Sequence, residues 1–181
     1  MKKTAFRHLL FTAVLASASL FVACGDSPED TGTTPAAGES PPAAAPAEQP
    51  DPDLPEKTVT ITGNDQMKFD VTEIEVQPRQ KVTVTLENIG SMPKVSMGHN
   101  WVLLVKDADP NEFLEASMVA MGTEYIAIDQ VDKVLANTKL LGPGESDSVT
   151  FTAPAELGDY VYLCSFPGHY AIGMKGILTV K

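Results

Sequence analysis

From residue 57 onward, apolar and polar residues alternate in short segments that are separated by turn residues. In Thr58–Thr62, Val59 and Ile61 alternate with threonines, which is typical of a strand with one buried face. Comparable apolar or alternating segments are Glu73–Gln77, Lys81–Glu87, Trp101–Val105, Ser146–Thr152, Gly158–Cys164 and Lys175–Lys181. Seven or eight short strands with frequent turns predict an all-β fold, an antiparallel β-sandwich.

One segment has a helical pattern instead. Asp109 precedes Pro110, and an N-cap residue followed by proline at the first helical position marks the start of a helix. The sequence therefore predicts one helix over residues 110–121, inside an insertion that runs to about residue 138. The expected fold is a β-sandwich with one short helical insertion.

The N-terminal part has a different composition. Residues 1–23 combine a basic start with an apolar run, which predicts a secretory signal peptide that is too short to span a membrane comfortably. Cys24 follows directly and predicts a bacterial lipoprotein whose Cys24 carries the lipid; ordinary cleavage nearby is the alternative. Residues 24–56 are rich in Pro, Ala and acidic residues, so we interpret them as a lipid-anchored disordered tether.

The charge of the chain restricts its partners. The formal net charge is −11, and it becomes −14 without residues 1–23, whose charged residues are all basic. Such acidity excludes nucleic acid and an anionic membrane surface as partners, so the membrane would be reached only through the lipid. If Cys24 is lipidated, Cys164 has no disulfide partner, and metal ligation is the simplest protection for its thiol.

The candidate chemistry lies in two segments of the chain. Cys164, His169 and Met174 stand within eleven residues of one another, and His99 lies upstream. His99 and His169 are the only histidines after residue 23. A thiolate and two imidazoles in a plane, with a thioether as a weak axial ligand, form the donor set of a one-electron copper centre. Zinc accepts the same thiolate and imidazoles but usually takes a stronger fourth donor than a thioether.

Two neighbours of His99 would complete this site. Gly98 has no side chain, so its backbone carbonyl would approach the metal from the face opposite Met174; an ordinary turn glycine is the alternative. Asn100 would connect the two ligand segments by hydrogen bonds around the ligands, because such sites need an oriented surrounding shell.

Met97–Leu103, Cys164–His169 and Met174–Gly176 resemble the ligand segments of the azurin group of cupredoxins. The likeness continues through Gly63–Met67, Thr138–Gly142 and Asp147–Phe151. It implies an eight-stranded Greek-key cupredoxin domain over residues 57–181, with one type 1 copper ion, Cu(I) or Cu(II), buried near one end.

Three departures from azurins accompany this resemblance. Azurins have one residue fewer between the second histidine and the methionine, and the longer His169–Met174 segment is similar to that of auracyanins. This chain lacks the cysteines for the azurin disulfide. Asn88 stands where many azurins have a titrating histidine, so pH-linked behaviour is not expected here.

The resemblance also implies a docking surface. In cupredoxins of this group the C-terminal histidine reaches the surface inside an apolar patch where redox partners dock, and His169 takes that position. The remaining patch members would be Met67, Met92, Phe166, Pro167 and Ile172, each of which would serve equally well as a core residue.

These observations predict an exported, membrane-tethered blue-copper protein that carries single electrons between redox proteins, in the periplasm or at the cell surface of a bacterium. It would not be an enzyme, because a copper oxidase or nitrite reductase needs further ligands that two histidines cannot supply, and no small-molecule substrate is expected. A copper-delivery lipoprotein is the alternative, although delivery favours exposed clusters of Met and His.

Overall fold

The computed structural model describes residues 48–181, which form a sandwich of two sheets. The predicted signal peptide, Cys24 and most of the predicted tether lie outside the described residues. The strands are β1 (Lys57–Gly63), β2 (Glu73–Val76), β3 (Lys81–Asn88), β4 (Val102–Leu104), β5 (Val134–Asn137), β6 (Ser146–Thr152), β7 (Gly158–Leu163) and β8 (Lys175–Val180). One sheet has the order β1-β3-β6 and the other β2-β8-β7-β4-β5. The prediction of an all-β sandwich with about eight strands is confirmed.

Two strand pairs are parallel, so the prediction of an antiparallel sandwich was wrong for these pairs. β1 pairs with β3 and β2 pairs with β8 in parallel, whereas the other pairs are antiparallel. After β1 the chain crosses to the other sheet, forms β2 there and returns as β3, so neither parallel pair is a hairpin. As a result Gly63 and Asn88, the last residues of β1 and β3, lie side by side at one end of the sandwich.

The insertion holds one helix of two turns and the strand that the sequence analysis missed. Helix α2 spans Pro110–Ser117, and Asp109 caps it by accepting a hydrogen bond from Asn111 N at 2.8 Å. It ends four residues earlier than predicted, because the buried Ser117 hydroxyl accepts from Ala127 N as the chain turns back. Short helices are α1 (Lys94–Met97) and α3 (His169–Ile172), with 3₁₀ turns at Met121–Thr123 and Ile128–Lys133. No helix among the described residues has the length and apolarity needed to cross a bilayer.

The core explains why β4 is apolar throughout. Trp101, just before β4, is fully buried between the two sheets, with its ring centroid 5.5 Å from that of Tyr162 and 5.9 Å from that of Phe151. On the other face of the sheet, Val102 and Leu104 pack with Phe113 of α2. Burial on both faces removes the alternation of a half-buried strand, and it fixes the position of the segment that leads into β4.

The described part of the predicted tether, residues 48–56, lies along the sandwich. The Arg79 guanidinium donates to Gln49 O through Nε and Nη2, both at 3.1 Å. Asp51 N donates to Arg79 O at 2.9 Å, and Gln80 Nε2 donates to Pro55 O at 2.8 Å. These contacts surround the start of β3, at the end of the sandwich opposite to Asn88.

Candidate metal centre

Three of the four candidate ligands flank neighbouring strands at one end of the five-stranded sheet, and His169 is the first residue of α3. His99 lies just before β4, Cys164 directly follows β7, and Met174 directly precedes β8. Val102 pairs with Leu163, so β4 and β7 reach this end of the sheet together. Cys164 N donates to Met174 O at 3.1 Å, which continues the β7–β8 pairing beyond the strands. Residues that are far apart in sequence therefore meet at one place in the fold.

Three donor atoms form a compact, fully enclosed triangle. Nδ1 of His99 lies 3.3 Å from Nδ1 of His169, and Sγ of Cys164 lies 3.4 Å from Nδ1 of His169. All three atoms lie within 4.8 Å of one another, and all three residues are buried. Ligands at the bond lengths typical of zinc sites, about 2.0 Å for imidazole nitrogen and about 2.3 Å for thiolate, would stand about 3.5–3.8 Å apart around one ion. The observed triangle fits a first-row metal ion.

Met174 is buried beside this triangle, against Gly63 at the end of β1. A Cβ atom on Gly63 would lie 3.0 Å from Met174 Cε and 3.2 Å from His99 Cδ2. The thioether methyl and the His99 ring thus close over a backbone that carries no side chain. The sequence analysis did not recognise Gly63 as a site residue, because it stands outside the ligand motifs. Its position at the end of a strand, within an azurin-like segment, was the available signal.

Burial sets the protonation of the metal-free triangle. Burial raises the pKa of Cys164 to about 12, and the backbone N–H groups of Asn100 and Phe166 only partly oppose it. Burial also lowers the pKa of His169 to about 4, helped by the neighbouring His99, and burial lowers the pKa of His99 as well. Both imidazoles are therefore neutral at pH 7, the state in which they bind metal. The Cys164 thiol has to release its proton when it binds metal as a thiolate.

Asn100 connects the segments that carry His99 and Cys164. Ser165 N donates to Asn100 Oδ1 at 2.8 Å, and Asn100 Nδ2 donates to Ser165 Oγ at 2.8 Å. Asn100 Nδ2 also donates to Glu124 O at 3.1 Å, which joins the insertion to the same network. Asn100 is itself fully buried, so these bonds have no competition from solvent.

Gly98 is required by close packing. A Cβ atom here would lie 2.7 Å from Lys94 O and 3.0 Å from Leu140 Cγ, so a side chain would displace the one-turn helix α1. The next residue is fixed on both sides, since His99 N donates to Leu141 O at 3.1 Å and Leu141 N donates to His99 O at 2.7 Å. The contact predicted between the Gly98 carbonyl and the metal stays a prediction.

The residues predicted for docking differ in exposure. Ile172 is 52% exposed and Met92 is 41% exposed, whereas Met67 and Pro167 are half-buried. Phe166 and His169 are almost fully buried, and their rings stack with centroids 4.6 Å apart.

The apolar surface extends beyond this set. The Tyr125 ring contacts Phe166 edge-on at 5.0 Å and, with Val95 and Met121, lines a surface cavity of 360 Å³. Val95 is 83% exposed and Met121 is 67% exposed. The sequence analysis did not name these three residues.

Comparison with known proteins agrees with this donor set. A family model described as copper binding proteins of the plastocyanin/azurin family matches residues 55–181. The chain belongs to this family. The azurin-like resemblance and copper as the cofactor, both predicted from the sequence, are confirmed.

Two relatives and two solved structures illustrate the likeness. Azurin-1 of Alcaligenes xylosoxydans xylosoxydans is 46% identical over 129 residues, which cover 69% of this chain and 98% of that protein. Azurin of Pseudomonas aeruginosa is 42% identical over 129 residues, which cover 70% of this chain and 86% of that protein. Dithionite-reduced auracyanin from Roseiflexus castenholzii has a TM-score of 0.58 at 33% identity, and the match covers 69% of this chain and 97% of the auracyanin chain. The azurin Az-iso2 from Methylomonas sp. strain J has a TM-score of 0.62 at 34% identity, and the match covers 69% of this chain and 98% of the azurin chain.

In this cupredoxin Asn88 has a structural role beside the site. It is buried, and its Nδ2 donates to Leu141 O at 3.1 Å while its Oδ1 accepts from Gly90 N at 2.9 Å. Leu141 is the residue that pairs with His99. Asn88 therefore ties the end of β3 to the backbone that holds the first ligand, through a side chain that does not titrate.

Gly63→Ala should disturb the site, because its new methyl group would overlap Met174 and His99. We expect a loss of about 1–3 kcal/mol in the free energy of unfolding and a changed visible spectrum of the copper-loaded protein. Gly122→Ala is the matched control, since a Cβ atom there has no neighbour within 4 Å. Urea unfolding and absorption spectra of both variants test this; equal behaviour of the two would contradict it.

Proposed function

We propose that this cupredoxin carries single electrons between redox proteins through a type 1 copper centre. The observation that carries the proposal is the buried triangle of His99 Nδ1, His169 Nδ1 and Cys164 Sγ, closed by Met174. Bound copper supplies a centre that takes up and returns one electron. The mixture of soft and borderline donors suits both oxidation states of copper.

The protein part of the proposed mechanism is to keep these donors in place. His99 lies just before β4 and Cys164 directly after β7, and these two strands pair with each other. The hydrogen bonds between Asn100 and Ser165 join the two segments. A frame of this kind resists rearrangement when the charge of the site changes, which favours fast electron exchange. We assign Gly98 a weaker part, in which its backbone carbonyl would be a further, weak ligand of bound copper.

The burial of the donors argues against the alternatives. Cys164, His99 and Met174 are fully buried and His169 is 2% exposed, so a bound ion would be enclosed, which does not suit a delivery protein that hands over its metal. Enzymatic copper chemistry needs an open coordination position and a substrate site. The one group of His, Cys and acidic side chains suited to a metal within residues 48–181 is the triangle itself.

Electrons would enter and leave through His169. Its ring stacks on Phe166, and Pro167, Met67, Met92 and Ile172 would provide the apolar surface where partners dock. Apolar patches of this kind suit transient protein partners, since weak contacts allow rapid release. Asp65 holds the backbone of Met92 in place. Its carboxylate accepts hydrogen bonds from Ser91 N at 2.9 Å and from Met92 N at 3.3 Å.

The proposed location is outside the cytoplasm, on a membrane. It rests on the sequence of residues 1–56, in which the predicted signal peptide, residues 1–23, directly precedes Cys24 and an acidic, proline-rich segment follows. A lipid on Cys24 would hold the domain near a bacterial membrane, in the periplasm or at the cell surface, while the segment allowed the domain to reach its partners.

The copper(II)-loaded protein should be intensely blue and should bleach reversibly with a mild reductant. Cys164→Ser should abolish the colour because the thiolate is lost. Met174→Gln should keep copper but lower the reduction potential, because an amide oxygen favours Cu(II) more than a thioether does. Absorption spectra and redox titration measure both effects, and a colourless Cu(II) protein would exclude the shuttle.

Electron exchange between copies should depend on the patch around His169. Ile172→Asp should slow electron self-exchange about tenfold, because association would bury a carboxylate. Leu157→Asp is the control, since Leu157 is 58% exposed and precedes β7 at the opposite end of the sheet. NMR line broadening in mixed oxidised and reduced protein gives the rate. Equal slowing in both variants would reject the proposed patch.

Acylation should occur at Cys24. Cells that express the full chain with radioactive palmitate should yield labelled protein, and Cys24→Ser should lose the label while Cys164→Ser keeps it. An unlabelled protein released into the soluble fraction would overturn the proposed anchor and leave the copper chemistry untouched.

A further inference from the structure

The turn after β1 contacts the ligand loop at a second point besides Gly63. Lys68 Nζ donates a hydrogen bond to the backbone carbonyl of Ile172, the last residue of α3. A Cβ atom on Gly173 would lie only 2.7 Å from this Nζ. The ammonium group therefore lies against the backbone of the segment between His169 and Met174.

The backbone on either side of Lys68 has a defined conformation. Met67, the preceding residue, has a positive φ of 55°, and the following Phe69 is buried with its ring centroid 6.0 Å from that of Tyr162. Phe69 also pairs with Gly63 across the turn. Because the backbone next to Lys68 is fixed by Phe69, the flexible Lys68 side chain can hold the Ile172 carbonyl in a defined position.

The ligand loop needs such support at this position. α3 is a single turn, in which Gly173 N donates to Tyr170 O at 2.9 Å and Met174 N donates to His169 O at 3.0 Å. The Ile172 carbonyl, at the helix C-terminus, takes its bond from Lys68 instead, and a cation there also suits the helix dipole. Gly173 has a φ of 101°, a conformation in which glycine alone is unstrained.

We propose that Lys68 is a positioning residue for Met174: it fixes the end of the His169–Met174 loop and thereby the place of the Met174 thioether, which would be a weak ligand of bound copper. This proposal rests on the proposed function for its redox consequence. The loop contact involves only groups of the chain itself, so it is testable without copper.

The decisive comparison is Lys68→Met against Lys175→Met. Both remove one positive charge beside the loop, but Lys175 Nζ lies over the Tyr170 ring, 4.3 Å from its centroid, and not on a loop carbonyl. In metal-free protein, amide hydrogen exchange at Gly173 and Met174 should become about fivefold faster in Lys68→Met. Lys175→Met should leave these rates unchanged, and Lys68→Arg should restore them, because a guanidinium also donates.

Copper-loaded proteins provide the second readout. Lys68→Met should change the visible and EPR spectra and shift the reduction potential more than Lys175→Met, which changes charge alone. Equal exchange rates and equal potential shifts in the two variants would overturn the role of Lys68. A colourless wild-type protein combined with faster exchange in Lys68→Met would reject the proposed function and leave the loop contact standing.

Discussion

The structure depends on the burial of three metal-binding side chains at one end of the sandwich. Cys164, His99 and His169 bring a thiol and two imidazoles within 4.8 Å of one another in the interior. Burial holds all three in their neutral forms, as the raised thiol pKa and the lowered imidazole pKa values indicate. A buried polar cluster is costly unless it is satisfied, so the fold has to hold it together, and binding of one metal ion offsets that cost.

The rest of the sandwich can be understood as the frame for this cluster. β4, β7 and β8 deliver its members to one end, and the Trp101 core lies directly beneath. The ends of two strands of the other sheet complete the enclosure. Gly63, the last residue of β1, leaves room for the Met174 methyl group, and Asn88, the last residue of β3, donates to the carbonyl of Leu141, the backbone partner of His99. The crossover connections that make β1 and β3 parallel bring both of these residues to the same end.

Much of this was predictable from the sequence, because it is encoded locally. Period-two alternation gave most strands, including Ser146–Thr152 with the observed bounds. The spacing of Cys164, His169 and Met174 gave the donor set. The features that were not predicted depend on distant parts of the chain. They are the parallel strand pairs, the strand β5, which forms by pairing with β4, and the end of α2, where the Ser117 hydroxyl accepts a hydrogen bond from Ala127 N. Gly63 was missed as a site residue because its importance lies in the space it leaves for Met174.

In the proposed function these donors surround copper in one arrangement that both oxidation states share. X-ray absorption at the copper edge, on the oxidised and the reduced protein, measures the ligands of the ion in each state most directly. We expect one short copper–sulfur bond and two imidazole nitrogens in both states, with only small changes in distance between them. Loss of the sulfur or of an imidazole in either state would contradict it.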